Sequence, residues 1–223
     1  MKILIACEFS GIVREAFRAK GHDAWSCDLL PSEIPSNHIQ DDVLDHLDEG
    51  WDMMIAHPPC TYLASSGLHW NKRILGREEK THEAMLFVLN LMGEGFVSHD
   101  IPKIALENPI GRISSAYRQP DQIIQPWMFG HPESKATCLW IKNLPPLLPT
   151  NYAKFKKYRC KCGNVFDAEL GKYGCCDYPA KPMWDNQTKS GQNKLPPSNH
   201  RAQDRSRTYR GIAQAMAEQW GSI

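Results

Sequence analysis

The chain has 223 residues, 42% of them hydrophobic, and 26 basic against 25 acidic side chains leave a formal net charge of +1. That length fits one domain, or one domain with a small insert, and is enough to bury a sizeable core. The composition is that of an ordinary soluble protein, and no apolar stretch reaches the length of a membrane span. The sequence opens directly on the strand-like Lys2-Ile3-Leu4-Ile5-Ala6 with no signal-peptide pattern, so a reducing, cytoplasmic setting is expected. Residues 1–150 hold 13 basic and 19 acidic side chains, net −6, whereas residues 151–223 hold 13 and 6, net +7. Such a split reads either as a solvated lysine- and arginine-rich face or as a basic surface for a phosphate backbone.

In chain order, residues 2–7 form the first predicted strand. Ser10 is placed to cap a helix running to about Lys20, which Gly21 ends. Ala24-Trp25-Ser26-Cys27 reads as a short second strand followed by Asp28, and Asp41-Asp42-Val43 as a short strand or strand end. The run Met53-Met54-Ile55-Ala56 reads as a buried strand of a parallel sheet. It ends in His57-Pro58-Pro59-Cys60, where the two prolines force an extended, stiff exit. Helical spacing of Ala84, Met85, Val88, Leu89 and Met92 predicts a helix over 78–92. Lys103-Ile104-Ala105-Leu106 is a further strand, ending in Glu107-Asn108-Pro109, and residues 136–141 form another. Strands interleaved with helices predict an α/β fold with a mostly parallel sheet.

Beyond about Leu144 the order breaks down into prolines, a lysine-rich stretch and a cysteine cluster. A polar tract over 185–207 follows, and a closing helix over 208–220 carries Ile212, Ala213, Met216 and Trp220 on one side. This divides the chain into a catalytic body, residues 1–144 plus 200–223, and a small insert, residues 145–199.

The chemistry-bearing residues fall at predicted strand ends, where open α/β sheets place their sites. Cys60 follows the double proline, and a thiol there is a candidate nucleophile once a positive or hydrogen-bonding neighbour favours its thiolate. His57, His69 and Arg112 are candidates for that neighbour; a small buried hydrophobe is the plain alternative for Cys60. Glu107, on another strand end, is either a structural carboxylate or a positioned acid. Gly11 just after the first strand either makes a simple turn or lets a cofactor approach the backbone, and Asp28 after the second is either a solvent-exposed loop residue or placed to accept from ribose hydroxyls.

These elements, in this order, resemble the cytosine-5 DNA methyltransferase family, in particular its very compact phage and bacterial members. Phe9-Ser10-Gly11 resembles the S-adenosylmethionine loop, Asp28 the ribose-binding acid, and Asp42-Val43 the pair beside the adenine. Pro59-Cys60 resembles the Pro-Cys nucleophile motif, with Ser65 and Gly67 echoing its downstream residues. Glu107-Asn108 resembles the Glu-Asn catalytic motif, and the segment 210–216 the helix that returns to the cofactor site. The resemblance covers residues 1–144 and about 200–223.

It implies a Rossmann-like methyltransferase fold, S-adenosylmethionine as cofactor, and methylation of cytosine carbon 5 in duplex or single-stranded DNA. The implied catalytic residues are Cys60, Glu107 and Asn108; Phe9, Ser10, Gly11, Asp28, Asp42 and Pro59 would line the cofactor. The chain departs from the pattern in two places. Val13 stands where a second loop glycine is usual, and Glu133-Ser134-Lys135-Ala136-Thr137 replaces a Gln-x-Arg-x-Arg motif, with Lys135 as the available substitute. Modification of a pyrimidine in a nucleotide or RNA, and a catalytically inactive nucleic-acid-binding protein, are the alternatives.

Cys160, Cys162, Cys175 and Cys176 place four thiols within seventeen residues. Four thiolates would hold a structural zinc ion that staples a segment too polar to own a core; incidental free cysteines are the plain alternative. Lysines 154, 156, 157 and 172 with Arg159, Tyr158, Tyr173 and Trp184 suit phosphate contact and base stacking, or packing of the insert.

Overall fold

A computed structural model describes residues 1–167, 180–188, 193–195, 198 and 201–223. Seven strands form one sheet: β1 (Lys2–Ala6), β2 (Asp23–Cys27), β3 (His38–Ile39), β4 (Met53–Ala56), β5 (Lys103–Pro109), β6 (Gln122–Ile124) and β7 (Thr137–Lys142). Their spatial order is β3-β2-β1-β4-β5-β7-β6. All pairings from β3 to β5 are parallel, whereas β7 runs antiparallel to both β5 and β6. This is the expected Rossmann-like methyltransferase fold, mostly parallel, with one reversed strand that the apolar run at 136–141 gave no means of orienting.

The strands alternate side chains between two cores. Leu4, Ala6, Met54, Ala56, Ile104 and Leu106 pack against Met85, Val88 and Leu91 of α3 (Arg77–Leu91). On the opposite face Ile3, Ile5, Met53, Ile55 and Ala105 meet Val13 and Phe17 of α1 (Ile12–Arg18) and Ile212, Met216 and Trp220 of the C-terminal helix (Arg210–Trp220). Burial on both faces explains why β1 and β4 read as unbroken apolar runs. Fully burying each such side chain contributes about 1.5–3 kcal/mol. The order reverses between β1 and β4: the chain leaves β1 for α1 on one face and β4 for α3 on the other, which leaves a crevice beyond their carboxyl ends.

Several local expectations need correction. Asp42-Val43 is not a strand: the Asp42 carboxylate accepts the Leu44 N–H at 3.0 Å and starts a 3-10 turn over Val43–His46. The short strand lies upstream, at His38–Ile39. Ser10 is only part of the α1 cap, its hydroxyl accepting the Ile12 N–H at 3.3 Å. The Val13 and Arg14 N–H groups go instead to the buried carboxylate of Glu8.

Leu147 still belongs to the main core, and the chain then enters a separate antiparallel sheet. Its strands are β8 (Lys157–Arg159), β9 (Val165–Asp167) and β10 (Lys181–Pro182), in the order β10-β8-β9. Trp184 packs on Trp127 and Phe155, and Asn186 exchanges hydrogen bonds with the Ser134 backbone, docking this segment beside β7. No helix among the described residues is long and apolar enough to cross a membrane.

Candidate active site

A cavity of about 510 Å³ opens over the carboxyl ends of β1 to β4. Asp28 follows β2, Asp41, Asp42 and Val43 follow β3, and Pro59 follows β4; Lys80, Glu83, Ala84 and Phe87 of α3 and Tyr62 complete the wall. Three of the six sequence-predicted cofactor residues, Asp28, Asp42 and Pro59, therefore come together here. Phe9, Ser10 and Gly11 are not among its lining residues. Phe9 is buried beneath the Arg207 guanidinium, and Gly11 adopts the left-handed conformation at φ +71° that starts α1.

Burial raises the Asp28 carboxyl above its ordinary value, opposed by the Leu30 N–H it accepts at 2.9 Å and by His38. Cys7 and Cys27 line the inner end of the cavity. Burial pushes both thiols up, Cys27 to about 12 and Cys7 further, with Asp28 adding to each, so both are inert as nucleophiles. Cys7 sits at φ +58°, a conformation that costs a non-glycine residue and that clusters at functional loops.

The catalytic candidates lie beside this cavity. Parallel pairing sets Ala56 against Leu106, so His57 and Glu107 are neighbours just beyond the paired residues, on the same sheet face. His57 Nδ1 lies 2.9 Å from Glu107 Oε2, with only 9% and 11% of the two side chains exposed. Burial alone would raise the Glu107 carboxyl. The His57 N–H, the positive charge of Lys135 and the Thr208 hydroxyl outweigh it and hold the group down to about 2.

Asn108 alternates to the other face, where its Nδ2 donates to the Pro58 carbonyl at 2.8 Å. It clamps the proline loop. Cys60 is exposed at that loop's tip, and its carbonyl accepts the Leu63 and Ala64 N–H groups. The loop is also stitched to the end of β5: Arg112 N–H donates to Leu63 O at 2.7 Å and Ser65 N–H to Ile110 O at 3.0 Å. Of the proposed thiol neighbours, His57 is committed to Glu107 and His69 packs on Trp70. Arg112 faces a groove shared with α3.

A second cavity of about 610 Å³ lies toward the insert, lined by Pro109, Glu133, Lys135, Asn186, Lys194, Arg205, Arg207, Thr208 and Tyr209 among others. Lys135 and Thr208 thus connect it to the surroundings of Glu107. Sequence reasoning missed the Glu8 cap, the His57–Glu107 pair and Thr208. An acid in the first βα turn and a histidine one residue past a strand were the available signals.

Of the expected zinc ligands, Cys160 is buried and Cys162 exposed, while Cys175 and Cys176 lie outside the described residues. Among the described residues no group of three or more His, Cys, Asp or Glu side chains is arranged to hold a metal ion.

No family model and no curated protein matches the chain. One similar solved structure is the Entamoeba histolytica methyltransferase EhMeth, at 12% identity and a TM-score of 0.43 over 70% of this chain. The match spans 57% of that protein, less than two thirds of its length.

Proposed function

We propose that this protein is an S-adenosylmethionine-dependent methyltransferase that modifies carbon 5 of cytosine in DNA, with Cys60 as nucleophile and Glu107 as the acid that engages the base. The observation that carries the reading is the placement of the Cys60 loop and the His57–Glu107 pair on adjacent strand ends, beside an acidic, nucleoside-sized cavity.

The cavity's chemistry supports this cofactor over a dinucleotide. The start of α1, the usual site for a pyrophosphate, is filled by Glu8, and Asp28, Asp41, Asp42 and Glu83 face a single lysine. Phosphates would be repelled. Ribose hydroxyls, a purine between apolar walls and a cationic sulfonium would be welcomed. S-adenosylmethionine, when bound, supplies an electrophilic methyl group.

In the proposed reaction the Cys60 thiolate adds to carbon 6 of the cytosine, making carbon 5 nucleophilic. Carbon 5 takes the methyl group, whose bond to the sulfonium breaks to leave a neutral thioether. Water then takes the carbon 5 proton as the bond from carbon 6 to sulfur breaks and Cys60 leaves as thiolate, which restores the ring. The Glu107 carboxylate accepts from the exocyclic amine, and a proton taken up from solvent when the base binds lies between the carboxylate and N3, where it offsets the negative charge that develops as Cys60 adds. The base must be out of the stack, and the second cavity, with Lys135, Lys194 and Arg205, offers cations for the flanking phosphates.

The test uses labelled S-adenosylmethionine and 5-fluorocytosine in duplex DNA, single-stranded DNA and RNA. A labelled covalent adduct, absent in Cys60→Ser, is the expected result. An adduct on RNA alone reassigns the substrate, and none on any of them overturns the reading. The proposal includes a structural zinc ion on Cys160, Cys162, Cys175 and Cys176, resting on thiol spacing. About one zinc per chain on metal analysis is expected, and a metal-free, folded protein removes it.

A further inference from the structure

We propose that His57 is the positioning residue of Glu107: its imidazole fixes one carboxylate oxygen, so that the other meets the pyrimidine in a single orientation. The inference rests on the reading of the site under Proposed function.

Three observations support it. The His57 backbone is fixed by its N–H to the Ala6 carbonyl at 2.9 Å, and the β4–β5 register sets its side chain beside Glu107. The 2.9 Å contact is a hydrogen bond to an ionised oxygen between side chains that are about nine-tenths buried, the kind that fixes orientation most firmly. The imidazole is also badly suited to mere packing. With Nδ1 donating to the carboxylate, the other ring nitrogen is buried without a partner, which destabilises the fold. A strand end that needed only an apolar plug would not carry that nitrogen.

The other groups facing Glu107 do not duplicate this role. Lys135, ahead of β7, acts on Glu107 through its charge, while its Nζ donates to the Arg205 carbonyl at 3.0 Å. Thr208, ahead of the C-terminal helix, supplies a neutral hydroxyl. His57 alone among them is a ring N–H donor, one residue past the strand next to β5 and tied to Ala6 through its backbone N–H.

The experiment compares the wild-type chain with His57→Leu and His57→Asn. The asparagine amide nitrogen can stand near the position of Nδ1, so it retains the donor. In His57→Leu, kcat is expected to fall on the order of 10²-fold. S-adenosylmethionine affinity should stay within about threefold, which separates lost orientation from lost binding. Isotope-edited titration of the Glu107 carboxyl should show it moving upward, because burial remains while its N–H partner is gone. His57→Asn should recover kcat to within about tenfold of wild type. Wild-type turnover in His57→Leu, or a folded His57→Asn as slow as the leucine variant, overturns the inference while leaving the methyltransferase reading standing. A wild-type chain that transfers no methyl group to any pyrimidine overturns both.

Discussion

The Glu8 carboxylate accepts the Val13 N–H at 2.7 Å through one oxygen and the Arg14 N–H at 3.2 Å through the other, so the chain itself fills the anion site at the start of α1. A helix start leaves N–H groups unpaired, and this side chain satisfies two of them from inside the protein. Glu8→Ala strands both donors beneath Phe9 and Ser10, which are themselves buried. The expected cost is about 1–2 kcal/mol, at the upper end for a lost cap. Urea denaturation should show it as a lower midpoint with an unchanged slope, and Glu8→Gln should restore part of it. An unshifted midpoint in Glu8→Ala would mean that these bonds do not hold α1.

Gly111 allows the Cys60 loop to lie against the end of β5. A Cβ on Gly111 would stand 1.9 Å from the Leu63 carbonyl oxygen and 2.9 Å from Ala64 Cα, so the two backbones would have to part. The Arg112–Leu63 and Ser65–Ile110 hydrogen bonds would go with them. Gly111→Ala is therefore expected to lower adduct formation by about 10²-fold, the usual effect of misplacing a reacting group by an ångström. Leu63 is a core residue, but the clash is with its carbonyl and the Ala64 backbone rather than with its side chain, so the fold should persist. Circular dichroism beside the fluorocytosine trap checks both halves, and a fully active variant would show that the loop moves freely.

His131 holds the start of the C-terminal helix by accepting the Gly211 N–H on Nε2 at 3.0 Å, which requires a neutral ring. Burial lowers its pKa below the ordinary 6.5, with Glu133 opposing. Since the unfolded chain then binds a proton more readily than the folded one, this residue makes stability decline as pH falls through 6.5. The decline levels off below the folded value. His131→Gln keeps an acceptor for the same N–H and cannot titrate. Comparing urea midpoints between about pH 8 and about pH 5.5 should show a shallower acid decline in the variant than in wild type. Identical pH profiles would refute the assignment.

The parts of this site legible in the sequence are those written in local patterns. Met53 to Ala56 is an apolar run long enough for a strand and too short for most helices, and the prolines after it fix where the loop begins. Cys60 follows from that strand end, and Asp28 from the end of the short run Ala24-Trp25-Ser26-Cys27. What could not be read depends on partners far along the chain. His57 meets Glu107 because of a register between β4 and β5 that no local pattern encodes. Glu8 outcompetes Ser10 as the cap because the chain folds back on itself at Cys7, whose left-handed conformation has no sequence signature in a cysteine. Asp42 looked like a strand residue beside Val43, but its short carboxylate reaches the backbone two residues on and turns the chain instead. β6 escaped notice because Gln122-Ile123-Ile124 is three residues long and lies close to Pro120 and Pro126.

Asp28 brings stability and binding into opposition. Its carboxyl is raised by burial, with the Leu30 N–H and His38 only partly compensating, so its ionised form is held at some cost near neutral pH. Raised in the folded state, it binds protons more readily there than in the unfolded chain, and its ionisation weakens the fold as pH rises. Asp28→Asn removes that charge and keeps an oxygen for the Leu30 N–H. The variant should melt at the same temperature as wild type or slightly above it. A ribose would lose its ionised acceptor, worth about 1.5–3 kcal/mol for a hydrogen bond to a charged group, so S-adenosylmethionine should bind about 10- to 100-fold more weakly. Isothermal titration of the two proteins, with a thermal melt beside it, measures both sides. Weaker binding without loss of stability would mark Asp28 as a residue kept for the ligand at the fold's expense. Unchanged affinity would remove this cavity as the cofactor site.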